Sequence, residues 1–591
     1  MTMLFNFLHL FGAIATIGVL IGLAFLLPEE NGKLDRTSSH FRFLPLFSAI
    51  WLLGAFGNLV STLADLFETN ISSVFEQTML WSYVTQTSLG RLQALETLGA
   101  LLILLLSKFL KKNGGALLAL VLASVALSAP VFLSHSSSLG SHGLAIGSLI
   151  IHVIALSYWI GAVLSYALMK DVDRNLALPR LSAISLWCVI AVITSGAANA
   201  WTRLRFSEDW FSRYGVLIAL KVMILSGVLV IAARLRKGRD GAWLKIEIAL
   251  LITITGIGSI LNRFIPTTST STSPDRVTEI TGTPMPLSPT FGRISLEYEA
   301  DALILGFLIF ITALYIKGVV TISRRGDTWP KGRTISFAVA IALIDWATSG
   351  GLGLYARFSF QYHMIAHMIL SMVAPIFLVL SAPITLALRA LPAGRVKGER
   401  GLRGLVVSAL HSLPSKTWSH PIVALVIFDG SLFALYFTPL FGELMSNHFG
   451  HLLMNFHFIA AGLLFFYIIV GIDPNPRRIH HLVRIVILFA AMSIHAFFSV
   501  ALMSSSTLID NGYYQLLNRP WATDLLADQR VGAAIGWAMG EIPIIIALIA
   551  TFIQWMRSDN REAKRADRRS ETDLAEYNKY LSGLASRDEE K

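Results

Sequence analysis

His363 and His367 stand four residues apart in an apolar stretch. On a helix they differ by about 40° and project from one face within about 6 Å. Met364, Met368 and Met372 form a stripe beside them. A second group is His448 and His451, three apart, with Met454 following and His457 a turn deeper. His495, Met503 and Glu541 lie in later apolar stretches. Imidazole suits Zn, Cu, Fe and Ni, and thioether selects soft Cu(I), so these residue types together suggest a metal site. Each also has a plainer reading. A lone histidine among apolar helices is often hydrogen-bonded to a carbonyl, and a methionine stripe is ordinarily packing.

The elements that must position these residues are membrane helices. Apolar residues make up 54% of the chain and charged residues only 14%, against roughly 25% charged in soluble domains. A membrane helix needs about 20 mostly apolar residues. Segments of that kind fall near 6–27, 43–66, 89–109, 114–134, 142–169, 180–201, 214–234, 244–264, 300–322, 334–356, 360–388, 419–441, 447–471, 481–505 and 533–555. The expected fold is all-α and polytopic, with about fifteen spans in two modules of about eight and about seven.

Charge sets the orientation. Placing the N-terminus outside puts most of the 48 Lys and Arg residues in inside loops and in the C-terminal tail, as cytoplasmic loops require. The net charge of +11 then reflects topology and contact with anionic lipid, not nucleic acid. Alternating helix direction brings His363, His367, His448, His451, His457, His495, Met503 and Glu541 to a similar depth, in the outer half of the bilayer. Polar groups at such depth are costly and mark function more often than elsewhere. Asp345 and Asp429, near mid-membrane, are weaker candidates for a proton or metal path.

The first module has a thinner set. The outside loop carries His135 and His142, and His152 follows about 15 Å deeper along the helix. His9 lies near the outer end of the first span and Glu96 lies within the third. Together they suggest an entry route for a cation; a polar loop with one packed histidine is the alternative. His40, His411, His420, His480 and His481 read as interfacial, on the inside. Met1 to His9 carries no positive charge and no small-x-small pattern follows, so a cleavable signal is not expected. The single cysteine, Cys188, excludes a disulfide framework and a multi-thiolate cluster within this sequence.

The expected organisation is a first membrane module over 1–264, an outside connector over 265–298, a second module over 299–556 and a charged inside tail over 557–591. The connector is rich in Thr, Ser and Pro, from Pro266 to Pro289, and reads as flexible and coreless. No convincing repeat relates the halves, so an inverted-repeat transporter is not indicated. No phosphate loop, G-x-S-x-G elbow or H-E-x-x-H motif is present, and a covalent catalyst is not expected.

Longer motifs resemble known families. His142 to Tyr166 with Trp159-Ile160-Gly161, Thr194-Ser195-Gly196 to Asn199-Ala200-Trp201, Lys221, and Glu247 to Pro266 resemble the CopD copper-resistance membrane family. In the second half, Tyr362-His363-Met364-Ile365-Ala366-His367-Met368 resembles the CtaG family of cytochrome c oxidase assembly factors. Pro375, Ala382-Pro383, Gly450-His451 through His457 to Gly471-Ile472-Asp473-Pro474, His495, Asp528-Gln529 and Gly540-Glu541-Ile542-Pro543 extend that match. The whole resembles a CopD–CtaG fusion. The resemblance implies a multi-pass protein of the bacterial plasma membrane that handles copper, as Cu(I) or Cu(II). It implies cytochrome c oxidase subunits or a respiratory supercomplex as partners. One half would gather copper and the other deliver it. A haem-binding redox protein, a copper permease without an assembly role, and a structural respiratory subunit remain the alternatives.

Overall fold

The computed structural model describes residues 2–30, 33–75, 78–133, 142–204, 208–235, 241–261, 275–394, 401–477 and 479–589. The architecture is all-α. Among these residues the only strands form a hairpin, Glu29–Glu30 against Lys33–Leu34. Among the described residues, thirteen helices are long and apolar enough to cross a membrane.

A helix stands at each of the places where a span is expected, but two are not full apolar spans. Over 334–356, helix Lys331–Thr348 carries Lys331, Arg333 and Asp345, and gives way to the short helix Gly351–Ala356. Over 419–441, helix Pro421–Leu425 passes through a π-helical turn, Val426–Gly430, into Ser431–Tyr436. Both hold buried positions in the second module, including Ile344, Phe428 and Tyr436. Protein rather than lipid covers those faces, so the sequence there need not be uniformly apolar.

The core falls into two main clusters. One joins the first helices around Ile17, Leu20, Trp51, Ala123 and Trp159. The other fills the second module and also takes in Phe132, Ile146 and Ile150 from the first. Helix Ala302–Arg324 lies against His142–Ala167, and Phe132 meets Phe449 edge-on at 4.9 Å. The two halves therefore share apolar packing.

The stretch expected to be a coreless connector is folded from 275 onward. Helices Arg276–Thr281 and Phe291–Leu296 form there, and Val277, Thr281 and Thr283 are buried. The Trp521 indole donates to the Pro286 carbonyl at 3.0 Å, Tyr355 to Leu287 at 2.8 Å, and Trp346 to Ile294 at 2.9 Å. The cause is partnership. A stretch rich in Thr, Ser and Pro builds little core of its own, but its backbone carbonyls can accept from aromatic side chains of a neighbouring one. Residues 262–274 lie outside the described residues.

Candidate metal centre

Helix Phe360–Met368 carries the histidine pair. Its start is held from the far end of the chain. The Asp528 carboxylate accepts from the backbone N–H of Phe360 at 2.9 Å and Gln361 at 3.3 Å, and from the Ser359 hydroxyl at 2.8 Å. Asp528 thus supplies the cap that the helix's own first residues lack. Arg519 neutralises it at 2.8 Å and donates to the Phe358 carbonyl at 2.6 Å; both side chains are buried. After Met368 the backbone takes a π turn, Ile369–Val373, and resumes as Ala374–Leu380. Pro375 has no N–H for the carbonyl four residues back, which is that of Ser371, so the regular ladder breaks there. Gly462 lets the next helix close on this break: a Cβ at Gly462 would collide with the Ser371 carbonyl oxygen.

The pair is fully buried, with rings 3.8 Å apart. One hydroxyl bridges them. Tyr436 Oη lies 3.1 Å from His363 Nε2 and 2.9 Å from His367 Nδ1. The opposite nitrogens, His363 Nδ1 and His367 Nε2, are buried without a hydrogen-bond partner. Phe360, Phe441, Phe458 and Phe498 enclose the group. Met364, Met368, Met372 and Met454 are buried in the same core. Buried imidazole nitrogens without a partner fit a cation such as copper.

The other expected residues are less concentrated. His451 and His457 are close enough to interact electrostatically with His367, but His457 is exposed. His448 turns to Asp301, 3.4 Å away. His495 donates from Nε2 to the Gly536 carbonyl at 3.1 Å and faces Asp429 at 3.7 Å. Asp429 is buried with neither oxygen hydrogen-bonded. Glu541 accepts from Trp537 on its own helix, and Met503 is half-buried at the edge of the core. Among the described residues, no three His, Cys, Asp or Glu side chains converge on a metal position.

In the first module His9 donates from Nε2 to Glu96 at 2.5 Å, and the Trp51 indole donates to the same oxygen at 3.1 Å. His152 pairs with Ser195 at 3.1 Å, with Lys221 in electrostatic range. His135 and the side chain of His142 lie outside the described residues. His40, expected at the interface, is instead fully buried between Ser165 and Ser38, at 2.8 and 3.0 Å. Two hydroxyls satisfy both ring nitrogens, which makes burial tolerable.

Tyr436, Arg519 and the capping role of Asp528 escaped the sequence reading. Asp528 lay within a motif, and nothing in spacing reveals that it caps a helix 168 residues away. Asp473, also in a motif, does the same for helix Pro383–Ala390, accepting from Ile384 at 3.0 Å and Thr385 at 2.8 Å.

Three family models match along the chain. Residues 1–144 match the copper resistance protein D-like N-terminal domain, and 175–261 match copper resistance protein D. Residues 313–558 match the cytochrome c oxidase caa3 assembly factor, CtaG. The chain matches the two families in series. The CtaG match contains His363, His367, Tyr436 and Asp528; the CopD matches contain His9, Glu96, Ser195 and Lys221. An uncharacterized protein of Mycobacterium leprae is 39% identical over 309 residues, covering 51% of this chain and 47% of its own. One of Mycobacterium tuberculosis is 38% identical over the same length, with the same coverage. The chain thus spans about half the length of the curated relatives it matches. No solved structure matches.

Proposed function

We propose that this protein binds copper within the membrane and passes it to a haem–copper oxidase during assembly, the CopD-like module gathering the ion and the CtaG-like module delivering it. The observation that carries this reading is the buried His363–Tyr436–His367 group with its two unpartnered nitrogens. The family matches support a copper-related role in oxidase assembly over a membrane scaffold, rather than a catalytic one. His363 and His367 are the primary ligand candidates. His448, His451, His457, His495, Met503 and Glu541 are secondary, and His9 and His152 belong to the gathering side, with His135 and His142. The membrane is the bacterial plasma membrane, with oxidase subunits as client. Copper as cargo needs ligands that release it, and thioethers of the second module's buried methionines would suit Cu(I) in transit.

The test is metal analysis of the purified full-length protein, paired with oxidase copper content in cells. His363→Ala/His367→Ala should remove bound copper and lower oxidase copper while the protein level holds. His480→Ala/His481→Ala should do neither. A strong Soret band without copper would overturn the reading in favour of haem. Normal oxidase copper in a deletion strain, after copper supplementation, would reduce the role to permeation.

A further inference from the structure

We propose that Asp429 and His495 form a second metal position, which takes a divalent transition-metal ion of the Zn(II) or Cu(II) kind through one carboxylate oxygen and one imidazole nitrogen. The position shares no donor with the His363–His367 pair. It holds whether or not that pair passes copper to an oxidase.

One nitrogen of His495 is already committed. Nε2 lies 3.1 Å from the Gly536 carbonyl oxygen. A carbonyl can only accept, so Nε2 carries the N–H and a neutral ring has its lone pair on Nδ1. The ring is seated against helix Leu525–Glu589 at Gly540, where a Cβ would collide with Nε2. That leaves Nδ1 facing Asp429 Oδ1 at 3.7 Å. His495 Nδ1, both Asp429 oxygens and the Ser499 hydroxyl are all buried without a hydrogen-bond partner. Ser499 follows His495 by four residues on helix His481–Met503, which puts it on the same face. Asp429 stands in the π turn Val426–Gly430, and such turns occur frequently at functional sites.

The separation decides what joins these groups. A charge-assisted N–H···O bond closes to about 2.7–2.9 Å, so the 3.7 Å gap is too wide for a direct bond. A bridging water with legs of about 2.8 Å and an angle of about 105° would hold the two atoms about 4.4 Å apart, so the gap is too narrow for a water. An ion about 2.0–2.1 Å from nitrogen and about 2.0–2.2 Å from oxygen spans the gap at an N–metal–O angle of about 120–135°. Burying either group without a partner is costly, and one cation between them satisfies both. The donors set its class. Imidazole with carboxylate and hydroxyl favours a borderline divalent ion over soft Cu(I), which prefers thioether. In this proposal Ser499 is the third donor and water fills the open position.

Full-length protein in detergent, stripped of metal by a chelator, is titrated separately with Zn(II), Cu(II) and Cu(I). One divalent ion per chain should survive His363→Ala/His367→Ala and be absent from Asp429→Asn and from His495→Gln. Both replacements are close in size to the originals, and Gln can still donate to the Gly536 carbonyl. Cu(II) should bind more tightly than Zn(II). Its electron paramagnetic resonance spectrum should show coupling to one imidazole nitrogen, lost in His495→Gln. Folding is read separately. Metal-free Asp429→Asn should melt no lower than the parent, because its carboxylate has no hydrogen bond to lose. Zn(II) should raise the melting midpoint of the parent and not of either variant. A divalent ion retained by both variants, none bound by the parent, or tighter binding of Cu(I) than of Cu(II) at this position would each overturn the proposal. An ion here with no copper at the histidine pair would uphold this position and sink the functional reading, so the two failures differ.

Discussion

Asp528 receives hydrogen bonds from Ser359, Phe360 and Gln361 and an ion pair from Arg519, all at the root of the helix that bears the histidines. Removing it leaves a buried guanidinium without its partner and a helix start without its cap. We predict that Asp528→Ala destabilises the protein by about 3–5 kcal/mol, the range for breaking a buried pair. Thermal unfolding in detergent should show a lowered midpoint. An Arg519→Met/Asp528→Leu double variant should lose less, since no orphan charge remains. At this scale the sequence was half legible. The four-residue spacing of His363 and His367 placed both on one face, and the structure puts their rings 3.8 Å apart. Tyr436 was invisible, because a tyrosine 69 residues from His367 carries no local signal of its contact. Expected common depth did not gather the wider set: His448 turns to Asp301 and His495 faces Asp429.

The helices that bear the site depart from regular α geometry at two places, Ile369–Val373 and Val426–Gly430, just after His367 and just before Tyr436. Each π turn inserts a residue and rotates the helical turns beyond it, which is how two elements can bring a hydroxyl to two imidazoles. Gly462 protects the first. A Cβ there would strike backbone, the Ser371 carbonyl, which no rotamer change relieves. Gly462→Ala should therefore cost about 3 kcal/mol or more, seen as a lower melting point and reduced copper retention; a neutral result would mean that helix His448–Val470 can shift freely. Hydropathy revealed the elements well, since apolar length is what a membrane demands. It was weakest where protein replaces lipid as the surroundings, as at Lys331–Thr348 and over 275–298. For the latter we expect limited proteolysis from the outer side to leave 275–298 attached to the second module. A first cut within Arg276–Leu296 would contradict the packing by Trp521, Tyr355 and Trp346.

Across the whole molecule the two halves meet along helix Ala302–Arg324, whose Phe307 reaches Phe456 in the second module and whose Phe310 reaches Trp187 in the first. Lysine and arginine placement argues for the N-terminus outside and the C-terminus inside. A reporter fused after Lys591 should thus be active only in the cytoplasm; activity confined to the exterior would invert every loop. Orientation is argued from the sequence because charge asymmetry acts on insertion rather than on packing. The sequence could not show how the last helix ends. Leu525–Glu589 is continuous over 65 residues, about 97 Å from end to end. Its first turns hold Asp528 and the Gly536 carbonyl that anchors His495, while its far end stands clear of the body with Leu574, Tyr577, Leu581 and Leu584 exposed. Such a rod has leverage: tilted by about 5° at the histidine end, its tip sweeps about 8 Å, so a displacement too small to notice beside the imidazoles would be large at the far end.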